Sequence, residues 1–282
     1  MGSVRNRKAN VKNQYTELSK LGISKLEILE KEAEDNWQSE QVFEVYRHGT
    51  LGKTIRTDQD MEKLVKDFQN KLWIKRDHIW GKGTITDAMK VINPKDVLQK
   101  VLGYTFIQSE SLGMHAIGDE IFEVAGLIDK TQKKVSISKS FPQETINFTA
   151  AHELGHLILH EQEVLHRDRP FDGSSTVPKD LVEQQADKFA AYFLMPALIV
   201  KDVFYEIYEV EKLRMNEGTA LALAIGNLSE LRDRCKDQRG FAMMIAQTEI
   251  YAGKSFNSLA KIFRVSSGAM AIRLMELSLV EF

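Results

Sequence analysis

Residues 147–160 of the chain read NFTAAHELGHLILH, and positions 152–156 of this stretch form the pattern H-E-x-x-H. Residues four apart on an α-helix lie on one face, one turn above each other. His152 and His156 can therefore bind one tetrahedral Zn²⁺ from the same side of a helix. The apolar residues around the pattern predict that this helix is buried.

Glu153 follows the first histidine directly and is the predicted general base. Zinc lowers the pKa of a bound water toward about 7, and a carboxylate beside that water can take its proton as the hydroxide attacks a carbonyl carbon. The pattern therefore predicts hydrolysis of a peptide bond, with Glu153 relaying the proton to the leaving amine. The alternative is that His152 and His156 are ordinary core or surface histidines of a helix.

A third ligand is expected on a second helix, over about residues 181–194. A catalytic zinc site has three protein ligands and one open position. The sequence EQQAD in this helix offers Glu183 as the third ligand, with Asp187 one helical turn further on. Asp187 can accept a hydrogen bond from the non-ligating nitrogen of His152 or His156 and so fix the orientation of that ring.

The remaining polar residues near the pattern have other predicted places. Gln162 stands where a third histidine ligand would come, six residues after the second histidine. His160 and His166 are interpreted as loop residues or as residues behind the ligands. Tyr192 and His166 are the candidates for stabilising the oxyanion. For Glu183 the alternative is a solvated carboxylate at a helix start.

These stretches resemble the ImmA/IrrE family of bacterial metallopeptidases. The matching residues are NFTAAHELGHLILH at 147–160, EQQADKFAAYFLMP at 183–196 and AGLID at 125–129. The resemblance covers about residues 93–200, is looser beyond them, and does not extend to residues 1–90.

The resemblance implies a minimal zincin fold, in which a small antiparallel sheet accompanies two metal-bearing helices. It also implies Zn²⁺ as the cofactor and a helix-turn-helix repressor as the protein substrate. Cleavage at one site would inactivate the repressor and derepress genes for stress response, mobile-element transfer or defence. Many members carry a second acidic residue two places after the ligand glutamate, whereas this chain has Gln185. Glu183 is therefore the less ambiguous ligand.

The chain as a whole is predicted to be α+β and to have three parts. Residues 91–200 form the zincin-like core, in which a hairpin precedes the first metal-bearing helix. Residues 1–90 form a mainly helical N-terminal extension, and residues 201–282 form a helical region that ends in a helix-turn-helix-like unit. Strands are expected near 103–107, 122–128 and 134–138, and helices near 13–34, 61–73, 142–159 and 181–194.

The composition is typical of a soluble protein from a reducing compartment. Of 282 residues, 43% are hydrophobic and 28% charged, and the formal charge of -2 provides no overall attraction to nucleic acid or anionic membranes. Cys235 is the only cysteine, so neither an intramolecular disulfide nor a thiolate metal cluster can form. No stretch approaches the roughly 18 apolar residues of a membrane span. The polar N-terminus lacks the apolar run of a signal peptide, and we expect a cytoplasmic protein.

Residues 258–274, SLAKIFRVSSGAMAIRL, resemble a helix-turn-helix whose second helix has Ser266 or Ser267 as N-cap. Such a unit can enter a major groove. The alternative function is therefore a DNA-binding transcriptional regulator whose zincin domain is inactive or senses metal. Packing of two helices explains the apolar residues equally well, and a third hypothesis is a chain that sequesters a repressor without cutting it. Few positive charges are available for phosphates: Lys254, Lys261, Arg264 and Arg273.

Overall fold

Two units of the chain are distinguished by the contacts within them. The computed structural model describes residues 41–117, 120–161, 166–168 and 180–282. Among these, one unit holds the residues up to Leu194 together with 263–269, and the other holds 195–262 and 270–282. The division into 1–90, 91–200 and 201–282 stays a prediction, because contacts do not test which stretch folds alone. The helix expected at 13–34 lies outside the described residues.

The first unit begins with short helical elements around one long helix, α2. Thr57 and Asp60 form a capping box, in which each side chain accepts a hydrogen bond from the backbone N–H of the other. This cap starts α2 ahead of the apolar stripe expected from Met61 onward. The elements are α1 Gln41–Glu44, a 3₁₀ turn Leu51–Thr54, α2 Asp58–Ile74, α3 Arg76–Trp80, α4 Ala88–Val91, α5 Pro94–Asp96 and a π-helical turn Val97–Val101.

The sheet of the first unit is small and follows these helices. Its four strands lie in the order β1-β5-β4-β6, and β2 pairs with β3 in a separate antiparallel hairpin. The predicted strand at 122–128 is two strands, because the chain leaves the β2–β3 hairpin at Val124 and Ala125 before β4 begins. The strands are β1 Thr105–Ser109, β2 Met114–Ile117, β3 Glu120–Glu123, β4 Gly126–Asp129, β5 Lys134–Ser138 and β6 His166–Asp168.

The α+β class is confirmed, and one detail of the sheet differs from the expected antiparallel arrangement. The β4–β5 and β4–β6 pairs are antiparallel, but β1 pairs with β5 in parallel, from Thr105↔Lys134 to Ser109↔Ser138. The β2–β3 hairpin connects β1 to β4, which lies two positions away in the sheet. Strand β5 follows β4 and lies between β1 and β4 in the sheet. It is antiparallel to β4 and therefore runs in the same direction as β1.

Two long helices complete the first unit: α6, Gln143–Leu159, and α7, Leu181–Leu194. Both agree with the predicted bounds. They pack closely at Gly155, where a Cβ atom would lie 3.2 Å from the Cα atom and carbonyl oxygen of Ala186. A larger residue at this position would separate the two helices that carry the H-E-x-x-H and E-x-x-x-D patterns.

The described part of the predicted N-terminal extension packs on α7. The ring of Phe68 in α2 lies 6.4 Å from that of Phe189 and 6.2 Å from that of Phe193, between centroids. Gln69 is buried and donates a hydrogen bond from its side chain to the carbonyl of Phe193, at 2.9 Å. Helix α2 therefore belongs to the core of the unit that holds α6 and α7.

The second unit is mainly helical. Three of its helices begin at polar N-caps: the side chains of Asn216, Asn227 and Asp237 each accept a backbone N–H of the first turn. No helix within the described residues is long and apolar enough to cross a membrane. The C-terminal elements are α8 Ala197–Tyr208, β7 Leu213–Arg214, α9 Glu217–Ala222, α10 Leu228–Cys235, α11 Gln238–Gln247, β8 Ile250–Tyr251, β9 Lys254–Ser255, α12 Leu259–Phe263, α13 Ser267–Glu276 and β10 Val280–Glu281.

Candidate metal centre

Three side chains from α6 and α7 converge on one point. The Nε2 atoms of His152 and His156 are 2.9 Å apart. One carboxylate oxygen of Glu183 lies 3.2 Å from Nε2 of His152, and the other lies 3.5 Å from Nε2 of His156. The structure thus brings together the three residues predicted as ligands, as a group able to hold a metal ion.

The spacing of these atoms fits a tetrahedral metal ion. Zinc bonds to imidazole nitrogen and carboxylate oxygen are about 2.0–2.1 Å long, so two ligand atoms of a tetrahedral site lie about 3.3 Å apart. The two nitrogens are 2.9 Å apart, and the 3.2 and 3.5 Å distances join them to different oxygens of Glu183, so all three side chains are near enough to bind one ion. Two imidazoles and one carboxylate also leave a fourth position open, as catalytic sites require.

The site is buried on the histidine side. His152 is 4% exposed and His156 is 0% exposed, whereas the Glu183 side chain retains 25% of its accessible surface. A buried helix with so many polar side chains is unusual, because buried polar groups cost free energy unless they are partnered. The alternative of two ordinary helical histidines does not account for their convergence with a carboxylate from another helix.

Asp187 holds the first histidine from behind. Its Oδ1 atom lies 2.9 Å from Nδ1 of His152, the ring nitrogen that faces away from the three-residue cluster. If Nε2 of His152 binds a metal, Nδ1 carries the ring proton and donates a hydrogen bond to the Asp187 carboxylate. The sequence left open which histidine Asp187 contacts, and the structure shows that it is His152.

The second histidine has a different partner, His160, which the sequence analysis interpreted as a loop residue or as a residue behind the ligands. Nδ1 of His156 lies 3.1 Å from Nδ1 of His160, and Nε2 of His160 lies 3.0 Å from Oε1 of Gln185. Both partners are buried, at 8% exposure each. The i, i+4 spacing of His156 and His160 was the available signal, since such residues are neighbours on a helix. Gln185 gave no such signal.

Glu153 is fully buried beside the first residue of β4. A Cβ atom at Gly126 would lie 2.3 Å from Oε1 of Glu153 and 2.5 Å from the Cγ2 atom of Thr149. A side chain at this position would force Glu153 or Thr149 to shift, so glycine leaves the room that the carboxylate occupies. A glycine within a strand often marks such a close approach. The AGLID stretch was noted in the sequence, but this function of Gly126 was not predicted.

The two oxyanion candidates stay predictions. Tyr192 is a buried residue of α7, and His166 begins β6, where its backbone is paired with that of Ile128.

The helix-turn-helix-like segment has the predicted elements, α12 and α13. The hydroxyl of Ser266 accepts the N–H of Ala269 and thus caps the second helix. Two of the charged side chains there, Lys261 and Arg273, are engaged within the protein, whereas Arg264 is exposed. Lys261 pairs with Glu249 at 2.5 Å, and Arg273, 3% exposed, donates to the carbonyl of Met195 at 3.1 Å.

The fold and the cluster define a metallopeptidase-like domain on a small α+β scaffold. The metallopeptidase family M78, described as the IrrE N-terminal-like domain, matches residues 112–224, and this segment contains His152, Glu153, His156 and Glu183. The resemblance to the ImmA/IrrE family is thereby confirmed: the segment is a domain of that family. A comparison with curated proteins finds no significant match.

Proposed function

We propose that this protein is a zinc-dependent endopeptidase. The observation that carries the proposal is the convergence of two buried imidazoles and one carboxylate with the spacing of tetrahedral zinc ligands. His152, His156 and Glu183 would hold the ion. The donor set of two nitrogens and one oxygen is that of catalytic zinc in other hydrolases. Zinc, when bound, would act as a Lewis acid and lower the pKa of a water, so that hydroxide is available to attack a carbonyl carbon near neutral pH.

The protein's own contribution to the reaction centres on Glu153. Its carboxylate takes the proton of the attacking water and delivers it to the nitrogen of the leaving amine. Gly126 keeps the space in which this carboxylate lies, and Asp187 fixes the His152 ring. The low exposure of His152 and His156 limits access of bulk water to the histidine side of the site, which strengthens electrostatic interactions there.

The substrate we propose is a helix-turn-helix transcriptional repressor, cut at a specific site to derepress stress, mobile-element or defence genes. This part rests on the family resemblance. A cytoplasmic location agrees with it, because a single cysteine suits a reducing compartment.

The test compares new N-termini in a proteome of the source organism after incubation with zinc-loaded wild-type protein or with the Glu153→Gln variant. Glutamine has nearly the shape of glutamate but cannot accept the proton. We expect new N-termini with wild type alone, within a protein that contains a helix-turn-helix. New N-termini in an unrelated protein would refute the repressor and keep the peptidase. Identical proteomes after both incubations would contradict the peptidase itself.

A further inference from the structure

We propose that His160 and Gln185 are positioning residues that hold His156 as a metal ligand, and that Gly52 anchors them. The proposal rests on the metal centre of the proposed function. It concerns the second ligand histidine, whose Nδ1 atom faces His160, whereas Nδ1 of His152 faces Asp187. It also extends the metal centre to a segment outside the matched residues 112–224.

The hydrogen bonds behind His156 can run in one direction only once its Nε2 atom binds a metal. Nδ1 of His156 then carries the ring proton and donates a hydrogen bond to Nδ1 of His160, over 3.1 Å. Because Nδ1 of His160 accepts, the proton of this neutral ring is on Nε2, which donates to Oε1 of Gln185 over 3.0 Å. The amide Nε2 of Gln185 finally donates to the carbonyl of Gly52 over 3.3 Å. Each of these three N–H groups therefore meets an acceptor.

The position between His160 and Gly52 needs a side chain that accepts one hydrogen bond and donates another. The amide of Gln185 meets both requirements, whereas an ionised carboxylate only accepts. A glutamate there would direct a negative charge at the carbonyl oxygen of Gly52 and leave one hydrogen bond unmade. This requirement accounts for an amide rather than a carboxylate at position 185.

The 3₁₀ turn Leu51–Thr54, which is not part of α6 or α7, provides the last acceptor in this series of hydrogen bonds. A Cβ atom at Gly52 would lie 2.6 Å from the carbonyl oxygen of Leu159 and 3.1 Å from Oε1 of Gln185. Lys53, next in the turn, pairs with Glu161 at 2.7 Å, just beyond the end of α6. The turn thus lies directly against the end of α6 and fixes the last acceptor of the chain.

The two ligand histidines are consequently supported in two ways. His152 is oriented by a carboxylate, and His156 by a neutral chain that ends on a backbone carbonyl. Partners behind metal ligands affect metal affinity by about 10–100-fold when they are removed. We expect effects in that range for the neutral chain.

The experiment measures zinc affinity by competition with a chromogenic chelator, and the visible absorption of the Co²⁺-loaded protein, for Gln185→Leu and His160→Phe. The matched control is Gln69→Leu, since Gln69 is also a buried glutamine that donates to a backbone carbonyl, away from His156. A positioning role predicts about 10–100-fold weaker zinc binding and a changed Co²⁺ spectrum in both test variants. The control is expected to lose thermal stability only.

Gly52→Ala is the third test variant, and it changes no polar group. Its added methyl group is expected to displace Gln185 or the end of α6, and so to weaken zinc binding as well.

The outcomes separate this inference from the proposed function. Wild-type zinc affinity and an unchanged Co²⁺ spectrum in both Gln185→Leu and His160→Phe would overturn the positioning role and leave the metal centre intact. If wild type and Gln69→Leu both bind no metal, the proposed function fails and the positioning role fails with it. If His160→Phe does not fold, Gln185→Leu decides the matter alone.

Discussion

Two helix pairs carry sequence motifs: α6 with α7, and α12 with α13. The two pairs differ in the polarity of their buried residues. In the first pair the buried positions include His152, Glu153 and His156. In the second pair they are apolar, as at Leu259, Met270 and Leu274, except for Arg273, whose guanidinium donates to the carbonyl of Met195.

The difference distinguishes a reactive site from a packing motif. Buried polar groups cost free energy unless they have partners, so a buried polar cluster that converges on one point indicates a ligand. Buried apolar residues need no ligand. In the second pair Lys261 is engaged with Glu249, whose pKa it lowers by a hydrogen bond. This contrast favours the peptidase over the DNA-binding alternative.

The largest expected effect separates chemistry from metal binding within the first pair. Glu153→Gln should lower the rate of peptide cleavage by about 10²–10⁴-fold, because the general base is lost. Its zinc content should match wild type, as Glu153 is not a ligand. Cleavage assays and elemental analysis on the same preparations measure both. Cleavage at the wild-type rate would refute the role of Glu153.

A substitution in the second pair should affect stability and leave zinc binding unchanged. Leu274→Ala removes a fully buried side chain and should lower the free energy of unfolding by about 2–5 kcal/mol. Its zinc content per folded chain should stay that of wild type, since the residue packs and holds no ligand. Calorimetry gives the stability. Loss of zinc from the folded variant would show that the contrast between the two pairs is wrong.

Gly126→Ala tests how tightly the first pair is built. The added methyl group would collide with the Glu153 carboxylate, and a displacement of about 1 Å can cost about 10²-fold in rate. We expect that loss in cleavage with zinc content unchanged. The matched control is Gly83→Ala: its Cβ atom would meet nothing within 4 Å, although its φ of +73° strains the backbone. Equal activity of the two variants would contradict the steric role of Gly126.

Asp187→Asn sharpens the comparison with a smaller change. The amide keeps an acceptor for the His152 N–H but loses the negative charge, and zinc affinity should fall by about 10–100-fold. Chelator competition measures the loss. An affinity equal to wild type would show that Asp187 is not needed to support the ligand.

The smallest effect is expected in the second pair. Lys261→Ala removes one exposed partner of an ion pair, and exposed pairs contribute little to stability. Its melting temperature should be close to that of wild type, and neither protein should shift DNA in a low-salt gel. A salt-sensitive shift by wild type that Lys261→Ala weakens would revive the DNA-binding alternative.

Local periodicity predicted much of the metal centre. Helices α6 and α7 have the expected bounds, because apolar residues at helical spacing and turn residues at the ends are local signals. The convergence of His152 and His156 follows from their i, i+4 spacing, and the E-x-x-x-D pattern placed Glu183 on the second helix.

The remaining features depend on contacts between distant residues, which periodicity does not encode. The Gln185 amide meets Gly52 across 133 residues of sequence, and α2 packs on α7 although the N-terminal stretch matched no known pattern. The parallel β1–β5 pair depends in the same way on the path of the chain between the strands.

Metal content by elemental analysis tests the central claim most directly, in wild type, His156→Ala and Glu183→Ala, with His48→Ala as control. His48 is a half-exposed histidine that pairs with Glu44, outside the cluster. We predict about one zinc per chain in wild type and the control, and its loss in both ligand variants. Wild type that binds no zinc after reconstitution, or ligand variants that keep it, would contradict the metal centre described above.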